Sequence, residues 1–438
     1  MKPINVGLLG IGTVGGGTWS VLARNREEIQ RRAGREIRIS MVADQDIEKA
    51  KRLTAGQATV IPDGNALVSH ADIDIVVELI GGHTVAKDLV LKAIANGKHV
   101  VTANKAMLAV HGNEIFAAAQ GAGVIVAFEA AVAGGVPIIK ALREGLTANR
   151  IEWIAGIING TSNFILSEMR DKSQSFDEVL REAQARGYAE ADPTFDIEGI
   201  DAAHKLTILA AIAFGIPMQF GAAYTEGIAK LAPEDIRYAE SLGYRIKLLG
   251  ITKRTAQGIE LRVHPTLIPA RRLIANVEGV MNAILVKGDA VGPTMYYGAG
   301  AGAEPTASAV VADLVDVTRL HTADPEHRVP HLAFQPDRLA GTRILPMAEV
   351  VTSYYLRMRV ADKPGVLADI TRILADRTIS IGAMIQREPG EGEDQVDIIM
   401  LTHETRERNL VAAIAAIEAL PVVAGNVTRI RLEELGRN

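Results

Sequence analysis

The 438-residue sequence contains no cysteine. That absence removes disulfides, thiolate-bound zinc, iron–sulfur clusters and cysteine nucleophiles. Any chemistry must rest on lysine, carboxylates, histidine, hydroxyls or a bound cofactor. An excess of one charge is also missing: 47 Lys and Arg stand against 52 Asp and Glu, a formal net charge of −5. This balance gives no electrostatic footprint for a nucleic-acid or anionic-membrane partner. The longest apolar run, residues 206–218 (LTILAAIAFGIPM), falls short of the roughly 20 residues a bilayer span needs. The first six residues run straight into a glycine turn, without the long apolar region and small-residue cleavage site of a secretion signal. A cytoplasmic enzyme is the resulting expectation. No repeat of about 20–50 residues is present, which sets aside solenoids and propellers.

What is present is ordinary globular composition, 48% hydrophobic and 23% charged, in a chain long enough for about three domains. The first third alternates strands and helices. Apolar runs at 6–9, 37–43, 73–79 and 99–102 predict parallel strands. One helix is expected from about residue 16 to Gly34, and another over 84–96, where Val85, Leu89 and Ile94 share a face before the stop at Gly97. This alternation predicts a doubly wound α/β sheet. From about 124 to 308 the pattern is mixed, with helices expected at 163–170, 176–186 and 200–214 and strands at 151–158 and 259–267. Residues 307–319 are again helical and apolar, as if returning to pack on the first domain, and the proline-bearing stretch 324–346 reads as a linker. The remainder reads as a strand (354–361), a helix (366–375), two strands (379–386, 396–402) around the turn Pro389-Gly390-Glu391-Gly392, a helix (406–419) and a strand (427–432). That is a ferredoxin-like βαββαβ plan.

Gly10-x-Gly12-x-x-Gly15 lies between a strand and a helix, the context of a dinucleotide fingerprint. The first glycine permits the turn, the second lets backbone approach a pyrophosphate, and the third allows close helix–strand packing. Asp44, at the end of the second strand, suits a ribose 2′-hydroxyl or is a solvated strand-end acid, while Lys49, Lys51 and Arg52 offer charge for a phosphate or merely solvate a helix face. Lys105 follows the fourth strand, at the end of the sheet where ligands bind, and reaches either a ligand or solvent. Asp201 and Lys205 are four apart at the entrance of an all-apolar helix, either an acid–base pair or an exposed ion pair. His204 beside them has no metal-ligand spacing partner and reads as structural. The small-residue loop from Glu129 to Pro137 offers carbonyls to a monovalent cation or makes a tight crossover.

Taken in order, GLLGIGTVGGG, VVTANKAMLA, FEAAVAGGVPII, GIINGTSNFIL, GYAEADPTFDIEGIDAAHKL and YYGAGAGAEPTASAV resemble the homoserine dehydrogenase family over residues 1 to about 330. The C-terminal segment with DKPGVLADI resembles an ACT domain, an amino-acid-sensing module. The resemblance implies three parts joined by a linker. Residues 1–130, with 307–325 packing back on them, form a Rossmann-type dinucleotide domain. Residues 131–306 form an α+β catalytic and oligomerisation domain, 326–349 the linker and 350–438 the ACT domain. It further implies reversible NAD(P)H-dependent reduction of L-aspartate 4-semialdehyde to L-homoserine, in threonine, methionine and isoleucine biosynthesis.

By that resemblance Lys205 is the proton donor, Glu190 and Asp201 bind substrate, and Lys105 lies beside nicotinamide and substrate with a share in protonation. Thr13, Val14, Gly187 and Gly302 match nucleotide contacts. Glu129, Val132, Gly134 and Val136 match a structural sodium loop acting through backbone carbonyls. A homodimer or homotetramer is implied, with threonine as the expected effector near residues 362–366. One departure stands out: Ala43-Asp44-Gln45-Asp46 occupies the place where many NADP-using members carry a basic residue, which puts a preference for NADP in doubt and leaves NAD, NADP or dual use open. Two rivals stand against this reading. A non-catalytic NAD(P) and amino-acid sensor has no need of both lysines together with Glu190 and Asp201. An acylating semialdehyde dehydrogenase needs a thiol for its covalent intermediate.

Overall fold

The computed structural model describes residues 2–325, 328–386 and 394–436. The chain forms two compact units. The first comprises Met1–Gly160, Asp201–Ala223 and Val280–Thr342, the second Thr161–Ile200, Tyr224–Gly279 and Arg343–Asn438. These units cut across the three segments expected from sequence, because the chain passes between them several times.

The first unit opens with β1 (Ile4–Leu9), whose six residues are all buried. A parallel strand is covered on both faces, hence its unbroken apolar run. β2 (Ile37–Ala43), β3 (Thr59–Ile61), β4 (Ile75–Glu78), β5 (His99–Thr102) and β6 (Val126–Ala127) complete a six-stranded sheet in the order β3-β2-β1-β4-β5-β6. Every pairing in it is parallel. The order reverses between β1 and β4, so the crevice beyond their carboxyl ends is a topological switch point, where open α/β sheets take ligands.

Six helices accompany these strands: α1 (Thr13–Arg24), α2 (Arg26–Ala33), α3 (Ile47–Thr54), α4 (Gly64–Ser69), α5 (Thr84–Ala95) and α6 (Lys105–Gly121). The single helix expected to run to Gly34 is in fact two. Asn25, at φ −105° and ψ 20°, separates them, and α2 has its own acidic first turn (Glu27, Glu28) and basic last turn (Arg31, Arg32). The charges of α2 therefore match its own macrodipole, while α1 carries only the basic Arg24 in its last turn. The expected strand at 73–79 is shorter than its apolar run, because Ile73 and Asp74 still belong to the incoming turn.

Downstream come α7 (Ile138–Lys140), β7 (Ile151–Ile157), α8 (Gly160–Lys172), α9 (Phe176–Ala185), α10 (Thr194–Ile197) and α11 (Ile200–Phe214). They are followed by β8 (Tyr224–Thr225), α12 (Pro233–Ser241), β9 (Tyr244–Arg254), β10 (Ile259–Pro269), β11 (Met281–Gly288), β12 (Gly292–Ala299) and α13 (Ala303–Leu320). In the first unit β11 pairs antiparallel with β12 and with β7. The buried face of α13 (Ala307, Val310, Leu314) joins the core of β1 and β2. Within α11, residues 206–214 are buried on every side, as an apolar helix without a polar face must be.

In the second unit β9 and β10 pair antiparallel along eleven residues each. β13 (Val351–Ala361), α14 (Val366–Ala375), β14 (Ile381–Gln386), β15 (Gln395–Thr402), β16 (Thr405–Arg406), α15 (Glu407–Glu418) and β17 (Val423–Leu432) follow. Their sheet order, β17-β13-β15-β14, is antiparallel throughout and gives the βαββαβ unit. Its helices cover one face through Ile370, Leu374, Leu410 and Ile417. The turn expected at 389–392 lies outside the described residues. The proline-bearing stretch before β13 is tied down in places: Ile344 bridges Ile259, and Leu332 and Leu345 are buried. No helix among the described residues is long and apolar enough to cross a membrane.

Candidate active site

The glycine turn joins β1 to α1 at the switch point. Gly10 has φ +89°, and a Cβ at Gly15 would lie 2.1 Å from the Gly10 carbonyl oxygen, so neither position tolerates a side chain without movement. A Cβ at Gly12, by contrast, would meet nothing within 4 Å. The turn thus leaves an open approach to the start of α1, where Thr13 and Val14 present backbone N–H groups. No side chain caps that end and no acid lies in the first turn. Free N–H groups at a helix N-terminus suit a phosphate. Asp44 is half-buried beside this turn: its Oδ2 accepts from Ile11 N–H at 2.7 Å and its Oδ1 from Asp46 N–H at 2.8 Å. A carboxylate fixed in this way retains lone pairs for a ribose hydroxyl. Gly302, with φ +135°, starts α13, and the next residue packs on α1: a Cβ at Gly17 would lie 2.3 Å from the Ala303 carbonyl oxygen.

At the carboxyl end of β5, Asn104 caps α6 by accepting from Met107 N–H at 3.0 Å, which places Lys105 at the first helical position. Lys105 Nζ lies 3.4 Å from Asp201 Oδ1, and Lys205 Nζ lies 2.6 Å from Asp201 Oδ2. One carboxylate therefore sits between two ammoniums. Asn159 Nδ2 donates to the same Oδ2 at 2.9 Å, and Lys205 Nζ also donates to the Ile158 carbonyl at 2.8 Å. Side-chain exposure is 5% for Asp201, 12% for Lys205 and 36% for Lys105, so this is not an exposed ion pair. Burial alone would raise the Asp201 pKa; the charges of Lys205 and Lys105, with hydrogen bonds from Lys205 and Asn159, bring it down to about 2. His204 on the same helix is buried against Phe220, and burial lowers its pKa to about 4. It carries no charge near neutral pH.

A further buried acid lies beneath the site. Glu78 ends β4 fully buried, in register with Leu9 before the glycine turn and with Thr102 before the Lys105 turn. Thr102 Oγ1 donates to it at 2.6 Å and Ile80 N–H at 3.0 Å, and Gly81 N–H and the Asn104 side chain also bond to it. Burial outweighs these donors and leaves its pKa raised above the ordinary carboxylate value. Sequence reasoning did not single out Glu78 or Asn159. Asn159 stands in the motif GIINGTSN, but an acid closing the run VVE reads as an ordinary strand-end residue.

The loop after β6 is buried from Glu129 to Gly134 and at Val136, with Gly135 and Pro137 exposed. The Glu129 carboxylate accepts from Ile139 N–H at 2.9 Å and Lys140 N–H at 2.8 Å, while Glu129 N–H donates to Asp313 at 2.7 Å. Burial and then the Asp313 charge push Glu129 up to about 7, and burial raises Asp313 to about 6. Of the four carbonyls in question, that of Val136 accepts from Ile138 N–H at 2.8 Å and that of Glu129 meets Val132 N–H only at 3.5 Å. The carbonyls of Val132 and Gly134, both buried residues, accept no hydrogen bond among the described residues. Gly134 has φ +46° and lies so close to Gly300 that a Cβ would approach its carbonyl oxygen to 2.5 Å. Buried free carbonyls need a partner, and neutral oxygens fit a hard cation of low charge.

Gly187 and Glu190 belong to the second unit, on the exposed turn after α9. Gly187 has φ +73°, the Tyr188 carbonyl accepts from Thr161 Oγ1 at 2.7 Å, and the Glu190 carbonyl accepts from Gln184 Nε2 at 3.1 Å. In the βαββαβ unit, Gly365 has φ +98° and opens α14 after the turn at Asp362.

A Rossmann-type sheet with its glycine turn and two lysines around a buried carboxylate define an NAD(P)-dependent oxidoreductase, here with a C-terminal βαββαβ domain. Residues 10–129 match the homoserine dehydrogenase NAD-binding domain, 137–315 match the homoserine dehydrogenase family model, and 354–422 match the ACT domain. The chain belongs to the homoserine dehydrogenase family. It is 63% identical to the homoserine dehydrogenase of Pseudomonas aeruginosa, over 99% of this chain and 100% of that protein. Identity to the Neisseria gonorrhoeae homoserine dehydrogenase is 62% over the same shares. The crystal structure of a homoserine dehydrogenase from Thiobacillus denitrificans is similar at TM-score 0.95 and 73% identity, covering 100% of this chain and 99% of that one. A hyperthermophilic archaeal homoserine dehydrogenase in complex with NADPH is similar at TM-score 0.62 and 26% identity, over 72% of this chain and 98% of that one.

Proposed function

We propose that the chain interconverts L-homoserine and L-aspartate 4-semialdehyde at the Lys105–Asp201–Lys205 cluster, with Lys205 as the proton donor to the aldehyde oxygen. The observation that carries this reading is the buried Asp201 carboxylate held between two lysines at the carboxyl end of the sheet. When bound, NAD(P) supplies the hydride chemistry. The residues supply the rest. As the aldehyde is reduced, negative charge builds on its oxygen, and the Lys205 ammonium stabilises that charge and then neutralises it by giving up a proton. In the oxidation direction the neutral Lys205 amine takes the hydroxyl proton. Asp201 fixes the direction of Lys205 Nζ, and Asn159 fixes Asp201. Lys105, the more exposed lysine, faces the same carboxylate and shares in orienting substrate or protonating it. The start of α1 (Thr13, Val14), Asp44 and Gly302 would hold the dinucleotide, and Gly187 is assigned a nucleotide contact by the family resemblance alone. Asp201 binds the substrate, and Glu190 is assigned to its amino end by the family resemblance alone.

The cofactor reading is NAD or dual use, supported by Asp44 and the lack of a basic residue directly after β2. The carbonyls of Glu129, Val132, Gly134 and Val136 would hold a sodium ion, which would offset the unpaired buried oxygens of this loop. Work is divided among residues 1–130 for the cofactor, 131–306 for substrate and assembly, and 350–438 for regulation. Threonine is the effector, at the turn from Asp362 into α14, and the enzyme is a cytoplasmic homodimer or homotetramer. Steady-state homoserine oxidation with NAD and NADP in parallel, with and without threonine, tests this reading. Turnover with NAD at least matching NADP, and inhibition at millimolar threonine, is the expected result. No turnover with either dinucleotide would overturn the catalytic assignment, and unaltered kinetics with threonine would overturn the effector.

A further inference from the structure

Glu78 is the fully buried acid of the first sheet, and nothing in the proton-transfer scheme uses it. Burying a carboxylate in the middle of a parallel sheet is costly unless it is ionised and satisfied, or protonated and given an acceptor. Three of the groups facing it can only donate, Ile80 N–H at 3.0 Å, Gly81 N–H and the Asn104 amide, and the Thr102 hydroxyl at 2.6 Å is free to donate as well. An ionised carboxylate is acceptor-only, whereas a protonated one needs an acceptor for its own O–H. This donor set fits the anion.

Its position is equally specific. Glu78 is flanked on one side by Leu9, the residue before the glycine turn, and on the other by Thr102, three residues before Lys105. It is therefore the central residue of the sheet's carboxyl edge, at the switch point. Its bonds run to both bordering turns, Ile80–Gly81 after β4 and Thr102–Asn104 after β5. Asn104 closes the link by donating to the Gly82 carbonyl at 2.5 Å while capping α6.

We propose that Glu78 has two roles toward the bound dinucleotide: it clamps the two turns, and its fixed negative charge favours the oxidised, cationic nicotinamide over the neutral reduced form. This rests on the reading that nicotinamide occupies the carboxyl edge beside Lys105. A charge held in a site of low dielectric constant discriminates between cofactor forms that differ by one unit of charge. The clamp positions without discriminating. Glu78 acts through the turns and through its field, so it is a positioning residue.

The two roles separate by measuring dissociation constants for NAD and NADH, by nucleotide fluorescence and calorimetry, in the full-length protein. Glu78→Gln removes the charge and keeps the size; the ratio Kd(NAD)/Kd(NADH) rises about tenfold. Thr102→Val loosens the clamp and leaves the charge; both constants rise and their ratio stays within twofold. Glu78→Asp, which keeps the charge, also holds the wild-type ratio within twofold while both constants rise. An unchanged ratio in Glu78→Gln overturns the electrostatic role. If Glu78→Gln does not fold, the Thr102→Val and Glu78→Asp pair still decides, because a ratio that shifts in either charge-retaining variant contradicts the proposal. Wild-type binding of both forms with no homoserine turnover would instead sink the catalytic reading and leave this one standing.

Discussion

Replacing Asp201 by Asn removes one charge from the most tightly organised part of the site. The carboxylate is 5% exposed, 2.6 Å from Lys205 Nζ and 3.4 Å from Lys105 Nζ. Its pKa stands at about 2 against an ordinary value of 3.8. That gap corresponds to about 2 kcal/mol of folding stability. The folded-state pKa is depressed, so the contribution is complete above the unfolded value near 4 and is lost only as pH falls toward 2. The stability difference between wild type and Asp201→Asn is therefore flat from pH 5 to 8 and shrinks in strong acid.

Catalysis suffers more than stability does. The amide still accepts from Asn159 but no longer holds an ammonium by charge, so Lys205 Nζ loses its fixed direction and two lysines face each other without a counter-ion. A loss of about hundredfold in kcat is expected, within the range of positioned acid–base groups, with a much smaller effect on dinucleotide binding. Homoserine oxidation measured against pH, alongside urea unfolding at the same pH values, checks both halves. A variant with kcat within threefold of wild type would refute the argument that Asp201 organises the lysines, and a stability difference that grew toward pH 3 would refute the sign of the linkage.

Two other substitutions probe the cofactor site and the second unit. Asp44→Ala removes the acceptor of Ile11 N–H and Asp46 N–H and the candidate ribose ligand; kcat/KM with NAD falls about tenfold while that with NADP changes less than threefold, and equal losses would reduce Asp44 to a loop brace. Arg431 is fully buried and bonded to Glu407 at 2.5 Å and Glu226 at 2.9 Å. Arg431→Met leaves Glu407 buried with Arg429 and costs about 3 kcal/mol in urea unfolding; a change below 1 kcal/mol would show that Arg429 alone suffices.

The parts legible in the sequence are those where one physical rule dominates. β2 and β5 have the bounds expected: β5 is buried throughout, and β2 alternates buried Ile37 and Ile39 with Arg38 and Ser40 before the buried run Met41–Ala43. β3 and α4 escaped notice because three and six residues carry too little pattern. α6 was hidden by apolar residues spread around its circumference and by Gly112 within it, although Asn104 was a readable cap. In β10 the polar residues Glu260, Arg262 and His264 are buried and satisfy one another, which an alternation rule cannot foresee. Within the site, the spacing of Asp201 and Lys205 implied a shared face but not burial, and the approach of Lys105 spans 96 residues of chain and is set by the fold alone. Glu78 was illegible for the opposite reason: its meaning lies in the two neighbouring strands, not in its own.

The account's central claim is proton transfer through Lys205 in homoserine oxidation. Its most direct test is turnover of Lys205→Ala with the dinucleotide affinity measured on the same sample. The expected result is a kcat at least about a thousandfold below wild type with dinucleotide Kd within threefold. Retained turnover in a folded, dinucleotide-binding Lys205→Ala variant would contradict the claim.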